Sequence, residues 1–192
     1  MKAIRAGSLF LCALLFSTAA FAQDAPAFGA FVGFNQAWYS TQPENATEKK
    51  PALVVGGFAV LRRDKALKIQ PEVQFSQRRV GATYTGQDYL HANSYVNLSL
   101  LVRTNLFKGI YSVQGPQFSI PVKGTLTVRN VDLDVKDNIN PDVSLLVGFG
   151  RQFGRIGAEW RYDAGLRRVE DVPLGNFVKR NRAFTFMGIV AF

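Results

Sequence analysis

Glu159–Arg167 puts a charged residue or glycine at every odd position (Glu159, Arg161, Asp163, Gly165, Arg167). Every even position is apolar or aromatic (Trp160, Tyr162, Ala164, Leu166). A β-strand sends successive side chains to opposite faces, so this segment makes a strand with one ionic face and one aromatic face. A water-soluble sheet hides its apolar face and shows scattered charges. Here four charges share one face, opposite Trp160 and Tyr162, residue types that favour a membrane–water interface. Lys68–Ser76 (KIQPEVQFS) alternates in the same way. Strands that are polar within and apolar without characterise a transmembrane β-barrel.

The N-terminus agrees with export. Lys2 and Arg5 precede the apolar run Leu9–Phe16, and Ala20-Phe21-Ala22 offers a small-x-small cleavage site, so Met1–Ala22 reads as a signal peptide. Its apolar run is well short of the roughly 20 residues of a membrane-spanning helix. Cys12 follows Phe10 and Leu11 rather than small residues, so it reads as part of the apolar run, not as a lipid-anchor site. The remaining 23–192 form one domain without cysteine, which excludes a disulfide-stapled scaffold. Removing Lys2 and Arg5 from the 23 basic residues leaves 21 against 14 acidic ones, a net charge of +7. The basic clusters fall at strand ends rather than on one face or helix, unlike a nucleic-acid-binding surface. Anionic lipid headgroups are the expected counter-charge, and solvated loop residues are the alternative reading.

Eight strands are expected: Phe28–Tyr39, Pro51–Leu61, Ala66–Gln77, Ser94–Leu106, Ile110–Val122, Asp142–Phe153, Ile156–Arg167 and Asn181–Phe192. A bulge or distorted pairing is expected at Pro71, and a slip of the alternation at Gly115-Pro116, because proline removes a ladder donor. The connections alternate long and short. Ser40–Lys50, Arg78–Asn93, Lys123–Pro141 and Arg168–Arg180 are long, polar loops. Arg62–Lys65, Phe107–Gly109 and Gly154-Arg155 are tight turns. Within Lys123–Pro141, Thr125–Arg129 could continue a strand beyond the membrane. An even strand number with loops sorted by length matches an outer-membrane barrel, whose periplasmic turns are short and external loops long. The expected fold is an all-β, eight-stranded antiparallel up-and-down transmembrane β-barrel with both mature termini periplasmic.

Once the outer face is apolar, closure follows, because backbone polar groups in lipid must pair within the wall. Glu72, Arg103, Glu159, Arg161, Asp163 and Arg167 are then expected inside as a structural polar network, since an Arg on the lipid face at mid-depth costs about 2–4 kcal/mol. An eight-stranded barrel is just wide enough for side chains to fill, so a general porin is disfavoured. Phe184, Phe186, Gly188, Val190 and Phe192 alternate to a terminal aromatic, resembling the signal that engages the barrel-assembly machinery.

Ile69-Gln70-Pro71-Glu72 with Phe75-Ser76, Gln114-Gly115-Pro116, Gly148-Phe149-Gly150 and Arg161-Tyr162-x-x-Gly165-Leu166 occur in this order. With the aromatic last strand they resemble the PorT-like outer membrane β-barrel family over roughly Phe28–Phe192. Leu98–Leu101 stands where that family often has a Leu-Pro pair. The resemblance implies an integral outer-membrane barrel of a Gram-negative-type bacterium, and no activity.

A non-enzymatic structural or surface-binding role is therefore expected, with no cofactor or metal. Arg78, Arg79, Arg168, Lys179 and Arg180 would rim the outer end and meet lipopolysaccharide phosphates; a protein partner is left open. One alternative is a lipid A hydrolase, in which a His deprotonates a nearby Ser. His91 and Ser94 are the only candidates, spaced His-x-x-Ser rather than His-x-Ser. The other is a secreted lipocalin-like carrier, which would turn its apolar residues inward.

Overall fold

A computed structural model describes residues 27–40, 47–61, 67–84, 87–129, 131–167 and 180–192. The candidate signal peptide lies outside them, as do Arg168 and Lys179. The strands are β1 (Ala27–Ser40), β2 (Thr47–Val60), β3 (Leu67–Tyr84), β4 (Gln87–Phe107) and β5 (Ile110–Val128). They are followed by β6 (Val131–Asp134), β7 (Asp142–Phe153), β8 (Ile156–Gly165) and β9 (Arg180–Ala191). Their order round the sheet is β4-β3-β2-β1-β9-β8-β7-β5, and β4 pairs with β5 to close the ring. Every pairing is antiparallel. The fold is a closed eight-stranded antiparallel barrel, with β6 as a short extra strand on the far end of β5.

The wall is apolar outside and polar inside. Val32, Phe34, Leu53, Val55, Val73, Leu98, Leu100, Leu145, Val147, Phe149 and Phe186 are exposed on its outer surface. Alternate residues of the same strands, including Asn35, Gln70, Glu72, Asn97, Ser144, Glu159 and Arg161, are buried in the lumen. This is the reverse of a soluble ligand-carrying barrel. Phe28, Phe107, Phe153 and Phe192 are exposed at the short-turn end. Higher on the wall, Trp38, Trp160 and Tyr162 gather round Phe184 with ring centroids 5.2–5.4 Å from it. Two aromatic girdles flanking an apolar band mark the boundaries of a membrane slab.

The sheet is taller on one side than the expected strands were. β3, β4 and β5 run for 18, 21 and 19 residues, against 12 for β7 and 10 for β8. The expected loop Arg78–Asn93 is instead a continuation of the β3–β4 hairpin, paired in unbroken register from Arg78↔Asn93 to Tyr84↔Gln87. Likewise β5 continues to Val128 and turns back as β6. Polar side chains there do not exclude strand, because the backbone groups satisfy one another whatever the side chains carry.

The two prolines interrupt ladders without shifting them. Ile69 and Leu61 exchange both backbone hydrogen bonds, at 2.8 and 3.3 Å. Pro71, two residues on, lacks its N–H on that same edge, and the β2–β3 ladder lapses there between Phe58↔Glu72 and Leu61↔Ile69 with its register kept. No bulge forms at Pro71. At Gly115-Pro116 the β4–β5 pairing lapses between Ser99↔Gln117 and Val102↔Gln114, again in register. Val113, Gln117 and Ser119 stay buried on one face across it, so the expected slip does not occur. The β4–β5 register shifts instead at Pro121–Lys123, opposite Ser94-Tyr95, and again at Asn105–Phe107 beside the tight turn.

The outer surface yields a direct test. Val147→Arg places a guanidinium in the middle of the apolar band and is expected to lower stability to urea in lipid vesicles by about 2–4 kcal/mol. The unfolding midpoint, followed by heat-modifiable gel migration, measures it.

Candidate functional site

The lumen holds two ionic centres stacked along the barrel. The first is built on Arg161 of β8. Its guanidinium donates to both carboxylate oxygens of Glu72 on β3, at 2.5 and 2.7 Å, and its Nε donates to Glu159. β3 and β8 are not neighbours in the sheet, so this pair crosses the barrel. Glu159 also accepts from the Tyr111 hydroxyl of β5 at 2.7 Å, and Glu72 from the Gln70 amide at 2.7 Å. Arg161, Glu72 and Glu159 are each 97–99% buried. Charge-assisted, two-pronged bonds of this kind are the strong ones.

The second centre is built on Arg78 of β3. Arg78 donates to Asp163 at 2.7 Å and lies 3.8 Å from Asp142, with its guanidinium 4.8 Å from the Tyr95 ring. Gln117 donates to Asp163 at 2.9 Å and Asn181 to Asp142 at 3.0 Å. Gln117 also joins Gln74, Ser99 and Ser144 at 3.2–3.3 Å. Amides and hydroxyls thus fill the space between the guanidinium centres.

The wall is shaped for this cargo. Gly148 and Gly150 alternate into the lumen on β7. A Cβ on Gly150 would sit 2.3 Å from the Tyr111 ring, and one on Gly148 2.9 Å from Arg161 Cγ. The spacing of these two glycines therefore gives Tyr111 and Arg161 room to reach Glu159.

Five of the six residues expected inside are there: Glu72, Arg103, Glu159, Arg161 and Asp163. Arg167 is not. β8 ends at Gly165, and Arg167 lies beyond the wall, exposed. Arg78, expected on the outer rim, is 96% buried in the lumen. The rim placement followed from ending the third strand at Gln77. Carrying the inward series Glu72, Gln74, Ser76 one step further reaches Arg78. Arg79, on the opposite face, is exposed, as is Arg180. Asp142, Tyr111 and Gln117 were not singled out, although each lies on the inward face of its strand.

His91 and Ser94 are three residues apart on β4, so they project to opposite faces of the wall. The His91 ring packs edge-on against the buried Tyr39, at 6.0 Å. Each lumen carboxylate among the described residues accepts from a guanidinium, phenol or amide, while Oδ1 of Asp142 and of Asp163 takes no hydrogen bond. Among the described residues no group of three His, Cys, Asp or Glu gathers as a metal-ligand set.

Residues 21–170 match the family model described as the outer membrane protein beta-barrel domain. No curated protein sequence matches the chain. Among solved structures, Neisserial surface protein A aligns with a TM-score of 0.50 at 13% identity, over 87% of this chain and 97% of that one. The attachment invasion locus protein Ail of Yersinia pestis aligns with a TM-score of 0.51 at 11% identity, over 87% and 99%. At such identities the likeness is one of fold.

Removing the central cation should expose the energetics of the lumen. Arg161→Met strands Glu72 and Glu159 without their counter-charge, and a loss of about 3–5 kcal/mol is expected. Adding Glu72→Gln should recover part of it. Urea titration of the folded barrel in detergent measures both.

Proposed function

Because the chain belongs to the outer membrane protein beta-barrel domain family, we propose that it is a closed, non-enzymatic barrel of the outer membrane that binds lipopolysaccharide at its tall end. The observation that carries this reading is a basic row beside the upper aromatic girdle. Lys49 Nζ sits 4.3 Å from the centroid of the Trp38 ring. Trp38 is paired in register with Arg182 on its other side, and Ser40 with Arg180. Arg79, the register partner of Lys50, adds positive charge further round the wall, Lys50 itself being ion-paired with Glu48 at 3.3 Å. Trp and Tyr favour the headgroup level, so cations next to them meet lipid phosphates. Arg168 and Lys179, in sequence next to this end, belong to the same proposal; Arg78 and Arg167 do not.

In this reading the tall end and its long connections face outward and both termini are periplasmic, supported by the gathering of short turns at the other end. The signal-like Met1–Ala22 supports export. The outward series Phe184, Phe186, Val190 and Phe192 supports recognition of the last strand by the barrel-assembly machinery. The Gln-Pro-Glu, Gly-Pro and Arg-Tyr motifs favour the PorT-like branch of the family. The filled lumen argues against a porin, and the divergent faces of His91 and Ser94 against a lipid A hydrolase.

Two measurements test the proposal. Each basic residue near an anionic surface contributes about 1 kcal/mol, so replacing Lys49, Arg180 and Arg182 together by Gln should weaken lipopolysaccharide binding on the order of a hundredfold at low salt. Unchanged affinity in the folded triple variant overturns the binding role. The wild-type barrel in a planar bilayer should give no ion-conducting steps; stable conductance would overturn the plugged lumen.

A further inference from the structure

One arginine stands on the lipid-facing side of the wall. The outward positions of β7 are Leu145, Val147, Phe149, Arg151 and Phe153, and all five are exposed. Phe153 belongs to the aromatic girdle of the short-turn end, so Arg151 starts two residues, about 7 Å of strand, inside it. Its guanidinium lies 4.6 Å from the centroid of the Phe153 ring. A ring face attracts a cation without neutralising it. Among the described residues Arg151 makes no ion pair and its N–H groups meet no acceptor. Its register partners on the two neighbouring strands, Ile110 and Ala158, have purely hydrocarbon side chains. A charge so placed is tolerated by reaching out to the headgroup level.

Two features of the surroundings select what it meets there. The first is a second cation. Lys108 is exposed in the adjacent β4–β5 turn and, among the described residues, makes no ion pair. That turn is tied to β7 by the Gln152 N–H, which donates to the Gly109 carbonyl at 2.9 Å. The outward faces of β5, β7 and β8 carry no aspartate or glutamate. The second feature is a low stretch of wall beside Arg151. Ala158 pairs with Gly188, both are exposed, and a Cβ on Gly188 would have only the Val32 carbonyl near it, at 3.9 Å. The exposed pairs Ile156–Val190 and Trp160–Phe186 stand on either side of this recess. It is apolar and lies in the lipid-facing band, so what fills it is hydrocarbon.

We propose that Arg151 and Lys108 bind the phosphate of one anionic phospholipid in the leaflet that meets the short turns, with an acyl chain of that lipid laid over Ala158 and Gly188. Arg151, stacked on Phe153, presents a planar fork of donors to the phosphate oxygens. Lys108 adds a mobile ammonium, so a headgroup without a cation of its own is favoured over a zwitterionic one. This seat lies at the opposite end of the barrel from the lipopolysaccharide row and does not depend on it.

The test is native mass spectrometry of the full-length barrel, released from micelles that hold equal amounts of phosphatidylglycerol and phosphatidylcholine with the same acyl chains. One retained phosphatidylglycerol per barrel is expected, preferred about fivefold or more over phosphatidylcholine. Arg151→Gln should weaken its retention about tenfold, the loss of one charge-assisted hydrogen bond. Lys108→Gln should weaken it about fivefold, the loss of one charge beside the phosphate. Both side chains are exposed, and heat-modifiable migration checks that each variant folds. Arg180→Gln, at the opposite end, should leave this retention unchanged. Excess glycerol 3-phosphate should not displace the lipid; displacement would assign a site for soluble phosphate and overturn the lipid reading. Equal retention of the two phospholipids, or undiminished retention by the folded Arg151→Gln barrel, overturns the proposal.

Discussion

A backbone amide facing hydrocarbon has no water to bond, and each one left unpaired costs several kcal/mol. The whole architecture answers to that constraint. A sheet with a lipid-facing surface cannot keep an open edge, so β4 meets β5 and the ring closes. Closure then decides the side chains. With the outer surface apolar, the ionised residues of the same strands have only the lumen to occupy. The lumen is too narrow for them to be hydrated like surface charges, so they must satisfy one another.

That requirement makes Arg161 the centre of the interior. Its bonds to Glu72 and Glu159, with Tyr111 donating to Glu159, join β3, β5 and β8 across the barrel. Gly148 and Gly150 matter because of this centre: the wall must be bare where the Tyr111 ring and the Arg161 stem lie. A second guanidinium, Arg78, repeats the solution with Asp163 and Asp142. Arg103 alone of the three is held by amides, at the end where the lumen opens. Three guanidiniums and four carboxylates, with the amides and hydroxyls between them, thus fill the described interior.

Much of this is legible in the residues because a strand has a period of two. Trp160 outside and Glu159 and Arg161 inside follow from parity alone, as do the exposed positions of the last strand. The eight barrel strands follow from the alternating runs. What parity cannot supply is where a strand stops. The strand end is what separates the expected from the observed places of Arg78 and Arg167. In a barrel whose wall rises past the membrane, a strand turns polar on both faces while its hydrogen-bond ladder continues, so polarity marks the lipid boundary and not the strand end. The proline steps show the converse. Pro71 and Pro116 each lose ladder bonds, yet register survives because their other neighbours, β4 and β7, pair through them.

Within each alternating run the sequence by itself determined which way the side chains face, since alternation depends only on local backbone geometry. It also determined that the chain must close, since an apolar exterior leaves no alternative. Only the tertiary structure decided who meets whom inside. Arg161 and Glu72 are 89 residues apart on strands that do not touch. Their meeting depends on the height at which each strand's register sets them, a property of the closed ring. Parity places a charge in the lumen; the stagger of the strands chooses its partner.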